Sequence, residues 1–147
     1  MKNKISIEKM KIEDIDFILE IEKSQNVKIL TKSMLENDIN NSISMYYVAK
    51  LDNIIVGYIA ALYLTDHIDI EAVVVDKKYT RQHIASLLIE YLITLARSYR
   101  VEKIFLEVRV SNSEAILLYE KYHFKNISLR KKYYDNKEDA CVYELVL

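Results

Sequence analysis

In the first third of the chain, apolar and polar residues first alternate, and the apolar residues then recur at the spacing of a helix. Ile12, Ile15 and Leu19 recur at helical spacing, which is typical of an amphipathic helix with one buried face. Ser33 and Glu36 have the spacing of a capping box and indicate the start of a second helix. This third of the chain therefore predicts a strand at residues 3–9, a helix at 12–24 and a helix near 33–41.

The remaining two thirds predict more strands and two further helices. Three segments rich in Ile, Val and Tyr are separated by turn-forming residues and predict an antiparallel meander. The predicted elements are strands at Met45–Lys50, Ile54–Leu64 and His67–Val75, a helix whose apolar face runs from Ile84 to Leu95, a strand at Lys103–Val110, a helix at Asn112–Tyr122, and strands near 124–131 and 140–146. The order β-α-α-β-β-β-α-β-α-β-β indicates an α+β fold, with four helices covering both faces of a mixed sheet of about seven strands.

The composition is that of one globular domain, which we assign to residues 1–147. Hydrophobic residues make up 51% of the chain and charged residues 29%, and no repeat or linker-like segment interrupts it. The chain contains no proline and one glycine, Gly57. A Walker phosphate loop and a dinucleotide fingerprint each need at least two glycines, so both motifs are excluded.

Charge and cysteine content exclude further classes of function. The 21 basic and 22 acidic side chains give a net charge of −1, which disfavours a general nucleic-acid-binding protein. No apolar stretch is long enough to predict a membrane-spanning helix. Cys141 is the only cysteine, so there is no intramolecular disulfide, and the three histidines lack the spacing of metal ligands. We expect no nucleic-acid partner, no membrane partner, no metal and a cytoplasmic location.

Two segments in the second half of the chain resemble the signature of a known enzyme family. The first, residues 73–85, reads VVVDKKYTRQHIA and has the form of a strand, a loop and a helix start. The second runs through Glu107, Asn112 and Tyr119 within the sequence LEVRVSNSEAILLYEKYHF. With the order of elements, these segments resemble the GCN5-related N-acetyltransferase (GNAT) family. The resemblance implies the GNAT fold, acetyl transfer to an amine, and acetyl-coenzyme A as the cosubstrate.

The resemblance also implies a cofactor site between two strands and the start of a helix. A helix N-terminus offers unpaired backbone N–H groups and a partial positive charge, which suit the pyrophosphate of coenzyme A. Members of the family splay two strands apart, so that a strand edge can pair with the pantetheine arm. His83 stands where the family pattern has glycine, in a left-handed position that is less favourable for His than for Gly. The cofactor-binding residues implied in this way are Val73, Val74, Val75, Arg81, Gln82, His83, Ile84, Ala85, Ser86, Asn112 and Tyr119.

Acetyl transfer needs a group that takes a proton from the amine and a group that protonates the departing thiolate. By resemblance, Glu107 is the general base, acting through water, and Tyr119 is the general acid. The alternative for Glu107 is a solvated strand carboxylate. The alternative for Tyr119 is a core aromatic residue, since the chain contains twelve tyrosines.

The acceptor predicted by resemblance is a protein N-terminus. The run Arg130-Lys131-Lys132-Tyr133-Tyr134 is similar to the branch that acetylates ribosomal proteins on an N-terminal alanine, which makes a ribosomal protein a candidate partner. Tyr133 and Tyr134 would line the peptide groove together with Leu30, from the loop between the first two helices. An α-amino group has a pKa of about 7.7–8.0 against about 10.4 for lysine, so its neutral form is roughly 3 kcal/mol less costly to produce.

Other interpretations remain open at this stage. The chain could acetylate lysine or a small amine, or it could be a GNAT fold that binds acetyl-coenzyme A or a partner without turnover. The tyrosine pair could belong to an ordinary hairpin, and the basic run at 130–132 could be a solvated face or attract an acidic protein surface. The sequence leaves the oligomeric state open.

Overall fold

The computed structural model describes residues 4–134 and 138–147, so the predicted position 3 of the first strand lies outside the described residues. Within these ranges the chain forms seven strands, four α-helices and two short 3-10 helices. The strands are β1 Ile5–Lys9, β2 Ser44–Leu51, β3 Ile54–Tyr63, β4 His67–Val75, β5 Lys103–Arg109, β6 Lys125–Arg130 and β7 Ala140–Val146. The helices are α1 Ile15–Ser24, α2 Lys32–Asp38, α3 Ile84–Ser98 and α4 Ser113–Lys121, with 3-10 helices at Ile12–Asp14 and Lys77–Tyr79.

All seven strands lie in one mixed sheet. Their spatial order is β1-β2-β3-β4-β5-β7-β6. β4 and β5 pair in parallel, and every other neighbouring pair is antiparallel. The α+β architecture and the order of elements predicted from the sequence are confirmed.

The helices cover both faces of the sheet, and each face has its own hydrophobic core. Ile18 and Ile21 of α1 and Leu35 of α2 are buried on one face. Leu88 and Leu92 of α3 are buried on the other face, where α4 also packs. The apolar stripes that predicted these helices are therefore the surfaces that they bury against the sheet.

β4 and β5 separate halfway along their length. They pair only where residues 67–70 lie beside residues 103–106. Beyond this point β4 continues to Val75 and β5 continues to Arg109, but the two strands no longer pair with each other. The unpaired half of β4 leaves a row of backbone N–H and C=O groups open to a ligand.

A β-bulge in β4 lies at the start of this gap. The register between β3 and β4 shifts so that Ala61 pairs with Ile70 and Ala60 pairs with Ala72, which leaves Glu71 as the extra residue. Ile70 consequently belongs to the core under α3, whereas Ala72 belongs to the core under α1 and α2. The bulge changes which face each side chain of β4 occupies, as an extra residue in a strand does.

The capping box predicted for the second helix is wrong. The N-cap is Thr31, whose side-chain Oγ1 accepts a hydrogen bond from the backbone N–H of Met34 at 3.1 Å. Ser33 lies inside the first turn, so it does not form the predicted capping box with Glu36. Thr31 has the extended backbone of an N-cap residue, and its hydroxyl supplies the acceptor that the first turn needs.

The single glycine occupies a position where the sheet meets the start of α3. A Cβ atom at Gly57 would lie 3.1 Å from the carbonyl oxygen of Val74 and 3.3 Å from Cγ2 of Ile84. Ile84 is the first residue of α3 and is almost fully buried. Glycine is therefore needed here for close packing between β3, β4 and the beginning of α3.

Candidate active site

A cavity of about 620 Å³ lies where β4 and β5 diverge. The structure brings four of the predicted site residues into its wall: Leu30 from the α1–α2 segment, Glu107 from β5, and Tyr133 and Tyr134 from the β6–β7 segment. These residues are far apart in the sequence, and they meet because the sheet order places β7 beside β5 and β6 beside β7. Tyr119 and Asn112 are not part of this wall.

The carboxylate of Glu107 is held by two neighbours. Nε of Arg130 lies 3.3 Å from Oε1 of Glu107, and the Glu107 side chain is 25% exposed. The Tyr133 hydroxyl donates a hydrogen bond to the same carboxylate, and this bond raises the pKa of Tyr133. Arg130 is consequently part of the cavity wall and is not a simple solvated residue of a basic run.

The two tyrosines of the β6–β7 segment pack against each other and against arginines. Their ring centroids are 5.2 Å apart in an edge-to-face arrangement. The Arg109 guanidinium lies 4.0 Å from the ring centroid of Tyr134 and 3.6 Å from the Glu138 carboxylate. Glu138 also accepts a hydrogen bond from the backbone N–H of Ser111 at 2.8 Å, so this segment is tied to the end of β5 and the start of α4.

The sequence analysis missed two carboxylates in the cavity wall, Asp69 and Glu71 of β4. Glu71 is the extra residue of the bulge, and it accepts a hydrogen bond from the Tyr46 hydroxyl at 2.9 Å. Burial raises the pKa of Glu71. The only sequence signal for these residues is the presence of two acidic side chains in an otherwise apolar strand. The face of the sheet that Glu71 occupies depends on the bulge, which local patterns do not predict.

The open edge of β4 carries the backbone groups of Val73 and Val75. The N–H of Asp76 donates to the carbonyl of Val56 on β3, and the Val74 carbonyl also lies against β3. Because successive backbone groups alternate in direction, those of Val73 and Val75 point into the gap. The backbone groups of Val74, by contrast, are directed to β3.

The start of α3 has the backbone geometry of an anion-binding turn. Arg81 and His83 both adopt left-handed conformations, with φ of 65° and 62°. The first helical hydrogen bond runs from the N–H of Leu87 to the carbonyl of His83, so the N–H groups of residues 84–86 have no helical partner. Arg81, Gln82 and His83 are exposed, whereas Ile84 and Ser86 are buried.

Tyr119 lies on α4, and Asn112 immediately precedes this helix. Tyr119 is 7% exposed and packs against Phe124, with ring centroids 5.8 Å apart. Burial raises the pKa of Tyr119, so its hydroxyl stays protonated at neutral pH, and the Tyr134 phenol is close enough to contribute to the same shift. Asn112 is the N-cap of α4, and its Oδ1 accepts a hydrogen bond from the N–H of Ala115 at 3.2 Å.

The described residues form neither a metal-binding cluster nor a membrane-spanning helix. Across residues 4–134 and 138–147, no group of three or more His, Cys, Asp or Glu side chains has the geometry to hold a metal ion. None of the helices formed by these residues has the length and hydropathy needed to cross a membrane.

Comparison with known proteins identifies one matching family profile and several similar acetyltransferases. The sequence profile of the acetyltransferase (GNAT) family matches residues 15–124. A Bacillus subtilis (strain 168) protein, provisionally named a ribosomal protein bS18-alanine N-acetyltransferase, is 32% identical over 97% of this chain and 95% of its own length. An N-alpha-acetyltransferase from Saccharolobus solfataricus is 37% identical over 65% of each chain.

A solved structure shares the fold. The crystal structure of the ribosomal-protein-S18-alanine N-acetyltransferase from Escherichia coli superposes with a TM-score of 0.90 at 23% identity, and the match covers 97% of this chain and 94% of that one. The family profile matches most of the chain, and the Bacillus subtilis relative aligns along nearly its full length. The chain therefore belongs to the GNAT family of acetyltransferases and is an N-acetyltransferase that uses acetyl-coenzyme A.

Proposed function

We propose that this protein transfers the acetyl group of acetyl-coenzyme A to the α-amino group at the N-terminus of another protein. The observation that carries the proposal is the cavity at the β4–β5 gap, whose wall combines Leu30, Glu107, Tyr133 and Tyr134. The cavity has room for the end of a peptide, and the open strand edge beside it has free backbone groups for a pantetheine arm.

The residues present fit coenzyme A at two places. The backbone groups of Val73 and the N–H of Val75 would pair with the amides of the pantetheine arm along the open edge of β4, since the Val75 carbonyl already accepts a hydrogen bond from Gln25. The N–H groups at the start of α3, with Arg81, Gln82, His83 and Ala85 around them, would hold the pyrophosphate. Acetyl-coenzyme A supplies the activated acetyl group as a thioester. The amide nitrogen of Asn112 would donate a hydrogen bond to the cofactor, since its Oδ1 is already used as a helix cap.

In the proposed mechanism, Glu107 acts as the general base and Tyr119 as the general acid. Glu107 takes a proton from the acceptor amine through a water molecule, and the neutral nitrogen attacks the thioester carbonyl carbon. The C–N bond forms and the C–S bond breaks, Tyr119 gives its phenolic proton to the departing sulfur, and the second proton lost by the acetylated nitrogen passes to solvent water. The raised pKa of Tyr119 supports this role because it keeps the proton available for donation at neutral pH.

The preference for an α-amine rests on the cavity wall and on the relatives. Asp69, Glu71 and Glu107 give the wall acidic side chains that suit an incoming ammonium group. Both relatives carry names of enzymes that act on the α-amine, one of them on a ribosomal protein. We extend the proposal to a ribosomal protein as the acceptor, to one catalytic domain spanning residues 1–147, and to a cytoplasmic location.

The proposal is tested by incubating the protein with acetyl-coenzyme A and a panel of peptides that differ in their first residue. Mass spectrometry measures the added acetyl group, and a thermal shift with coenzyme A measures cofactor binding. We expect acetylation of free N-termini and a cofactor-dependent rise in Tm. Acetylation of small amines alone would contradict the acceptor assignment, and cofactor binding without any transfer would identify a binding module.

A further inference from the structure

A buried carboxylate holds the segment that joins α1 to α2. Glu22 lies near the end of α1 and is 3% exposed. Its Oε2 accepts hydrogen bonds from the backbone N–H of Leu30 at 3.0 Å and from the Tyr58 hydroxyl on β3. Its Oε1 accepts a hydrogen bond from the backbone N–H of Ile29 at 3.2 Å.

The hydrogen bonds to Glu22 need a carboxylate rather than an amide. Both oxygens act as acceptors, and three donors point at them, which satisfies a buried charge that would otherwise be costly. Burial raises the pKa of Tyr58, so its hydroxyl remains a donor. A glutamine at this position has one acceptor oxygen, and it would leave at least one buried donor without a partner.

The segment held in this way forms one side of the cavity. Ile29 and Leu30 line it together with residues of β5 and the β6–β7 segment. The other end of the segment is tied to the cofactor side: Nε2 of Gln25 donates to the carbonyl of Val75 at 2.8 Å, and Oγ of Ser24 accepts from the N–H of Lys77 at 3.2 Å. Glu22 therefore fixes the acceptor end of the segment, while Gln25 and Ser24 fix its cofactor end.

We propose that Glu22 is a positioning residue that sets the acceptor selectivity of the enzyme by fixing the aliphatic wall of Ile29 and Leu30. This inference rests on the proposed function, because the wall selects only if a peptide N-terminus enters the cavity. The first side chain of the acceptor packs against this wall, so a fixed wall admits small first residues and rejects bulky ones. A loosened wall admits both.

The test compares Glu22→Gln with a matched control, Glu20→Gln, which changes an exposed glutamate of the same helix. Steady-state kinetics are measured with peptides that begin with Ala or Leu and are otherwise identical. For Glu22→Gln we expect KM for the Ala peptide to rise about tenfold and the Ala/Leu ratio of kcat/KM to fall at least about fivefold. We expect kcat and the KM for acetyl-coenzyme A to stay within about twofold, and the control to match the wild type.

A second measurement and a second variant cover the remaining outcomes. Hydrogen exchange of the Ile29 and Leu30 amides should be faster in Glu22→Gln and unchanged in Glu20→Gln.

If Glu22→Gln does not fold, Tyr58→Phe is used. This variant removes one hydroxyl and keeps the hydrogen bonds from both backbone amides, so a smaller change in the Ala/Leu ratio of kcat/KM is expected. An unchanged Ala/Leu ratio in an active, folded variant overturns the inference. If the wild type acetylates no peptide, the proposed function fails. Unchanged exchange of the Ile29 and Leu30 amides in Glu22→Gln would separately show that Glu22 does not hold the segment.

Discussion

Nε of Arg130 lies 3.3 Å from Oε1 of Glu107, so the carboxylate that we propose as the general base is paired with a cation from the edge strand β6. Arg130 also lies 5.5 Å from the ring centroid of Tyr133, which donates a hydrogen bond to Glu107. Three side chains from β5, β6 and the β6–β7 segment thus restrain one another at the cavity. Their contacts explain how a partly exposed glutamate can hold a defined orientation for proton transfer.

Replacing Arg130 should reduce activity more than stability. The Arg130 side chain is 55% exposed, and exposed ion pairs contribute only about 0–1 kcal/mol to folding. We expect Arg130→Gln to lower kcat/KM about five- to tenfold, corresponding to roughly 1–1.4 kcal/mol of transition-state stabilisation. Urea denaturation and steady-state kinetics measure the two effects, with the exposed Lys131→Gln as the control. Equal losses in both variants would show that general surface charge, and not the pair with Glu107, is responsible.

Glu107→Gln should reduce kcat by roughly 10²–10⁴-fold, the range expected for loss of a general base. The matched control is Glu144→Gln on β7, which removes a strand carboxylate that is 18% exposed and paired with Lys103 at 3.2 Å. Both variants should still show the Tm rise with coenzyme A, because neither residue lies in the proposed cofactor site. A Glu107→Gln enzyme with wild-type kcat would leave the fold assignment intact and remove the proposed base.

Tyr119→Phe should lower kcat by about two orders of magnitude through loss of the general acid. Burial raises the pKa of Tyr119, so the wild-type enzyme should show no loss of kcat from ionisation of this phenol up to about pH 10, its ordinary pKa. The control is Tyr143→Phe, which removes the hydroxyl of another buried tyrosine, on β7. A Tyr119→Phe enzyme that keeps full activity would assign Tyr119 to the core alone.

Glu71→Gln should increase stability at neutral pH. Burial raises the pKa of Glu71 above its ordinary value of 4.5, so the charged carboxylate costs stability at every pH above its folded-state pKa. Below 4.5 the carboxyl is protonated in both the folded and unfolded states, and the cost disappears. Thermal melts should therefore show a higher Tm for Glu71→Gln at neutral pH and a difference that shrinks as the pH falls. A difference independent of pH would contradict burial as its cause.

Gly57→Ala should destabilise the protein and weaken binding of coenzyme A. The added Cβ would lie 3.1 Å from the Val74 carbonyl oxygen and 3.3 Å from Ile84, so the start of α3 must move. Overpacking typically costs about 1–3 kcal/mol, partly offset by the lower entropy of alanine in the unfolded chain. Urea denaturation and calorimetric titration with coenzyme A measure both consequences. Unchanged stability and affinity would mean that α3 tolerates the displacement.

The sequence predicted the elements better than it predicted the site. β4 was predicted with its observed bounds, His67–Val75, because alternation and turn residues are local signals. His83 adopts the left-handed backbone that the sequence analysis considered for this position.

Features that depend on contacts between distant segments could not be read from local patterns. The bulge at Glu71 follows from the pairing of β4 with β3, and it changes which residues share a face. Arg130 on β6 reaches across β7 to Glu107 on β5, so this contact depends on the strand order β5-β7-β6. The cap at Thr31 was missed because Ser33 and Glu36 fit the same signal, although Thr31 has the required extended backbone.

The central claim is that the acceptor is an α-amine, and one peptide tests it most directly. The peptide begins with a free alanine and carries one internal lysine, and tandem mass spectrometry locates the acetyl group after reaction with acetyl-coenzyme A. Our account predicts acetylation of the N-terminal nitrogen, with the lysine unmodified, and no reaction once the N-terminus is blocked. Acetylation of the lysine in the blocked peptide at the same rate would contradict it.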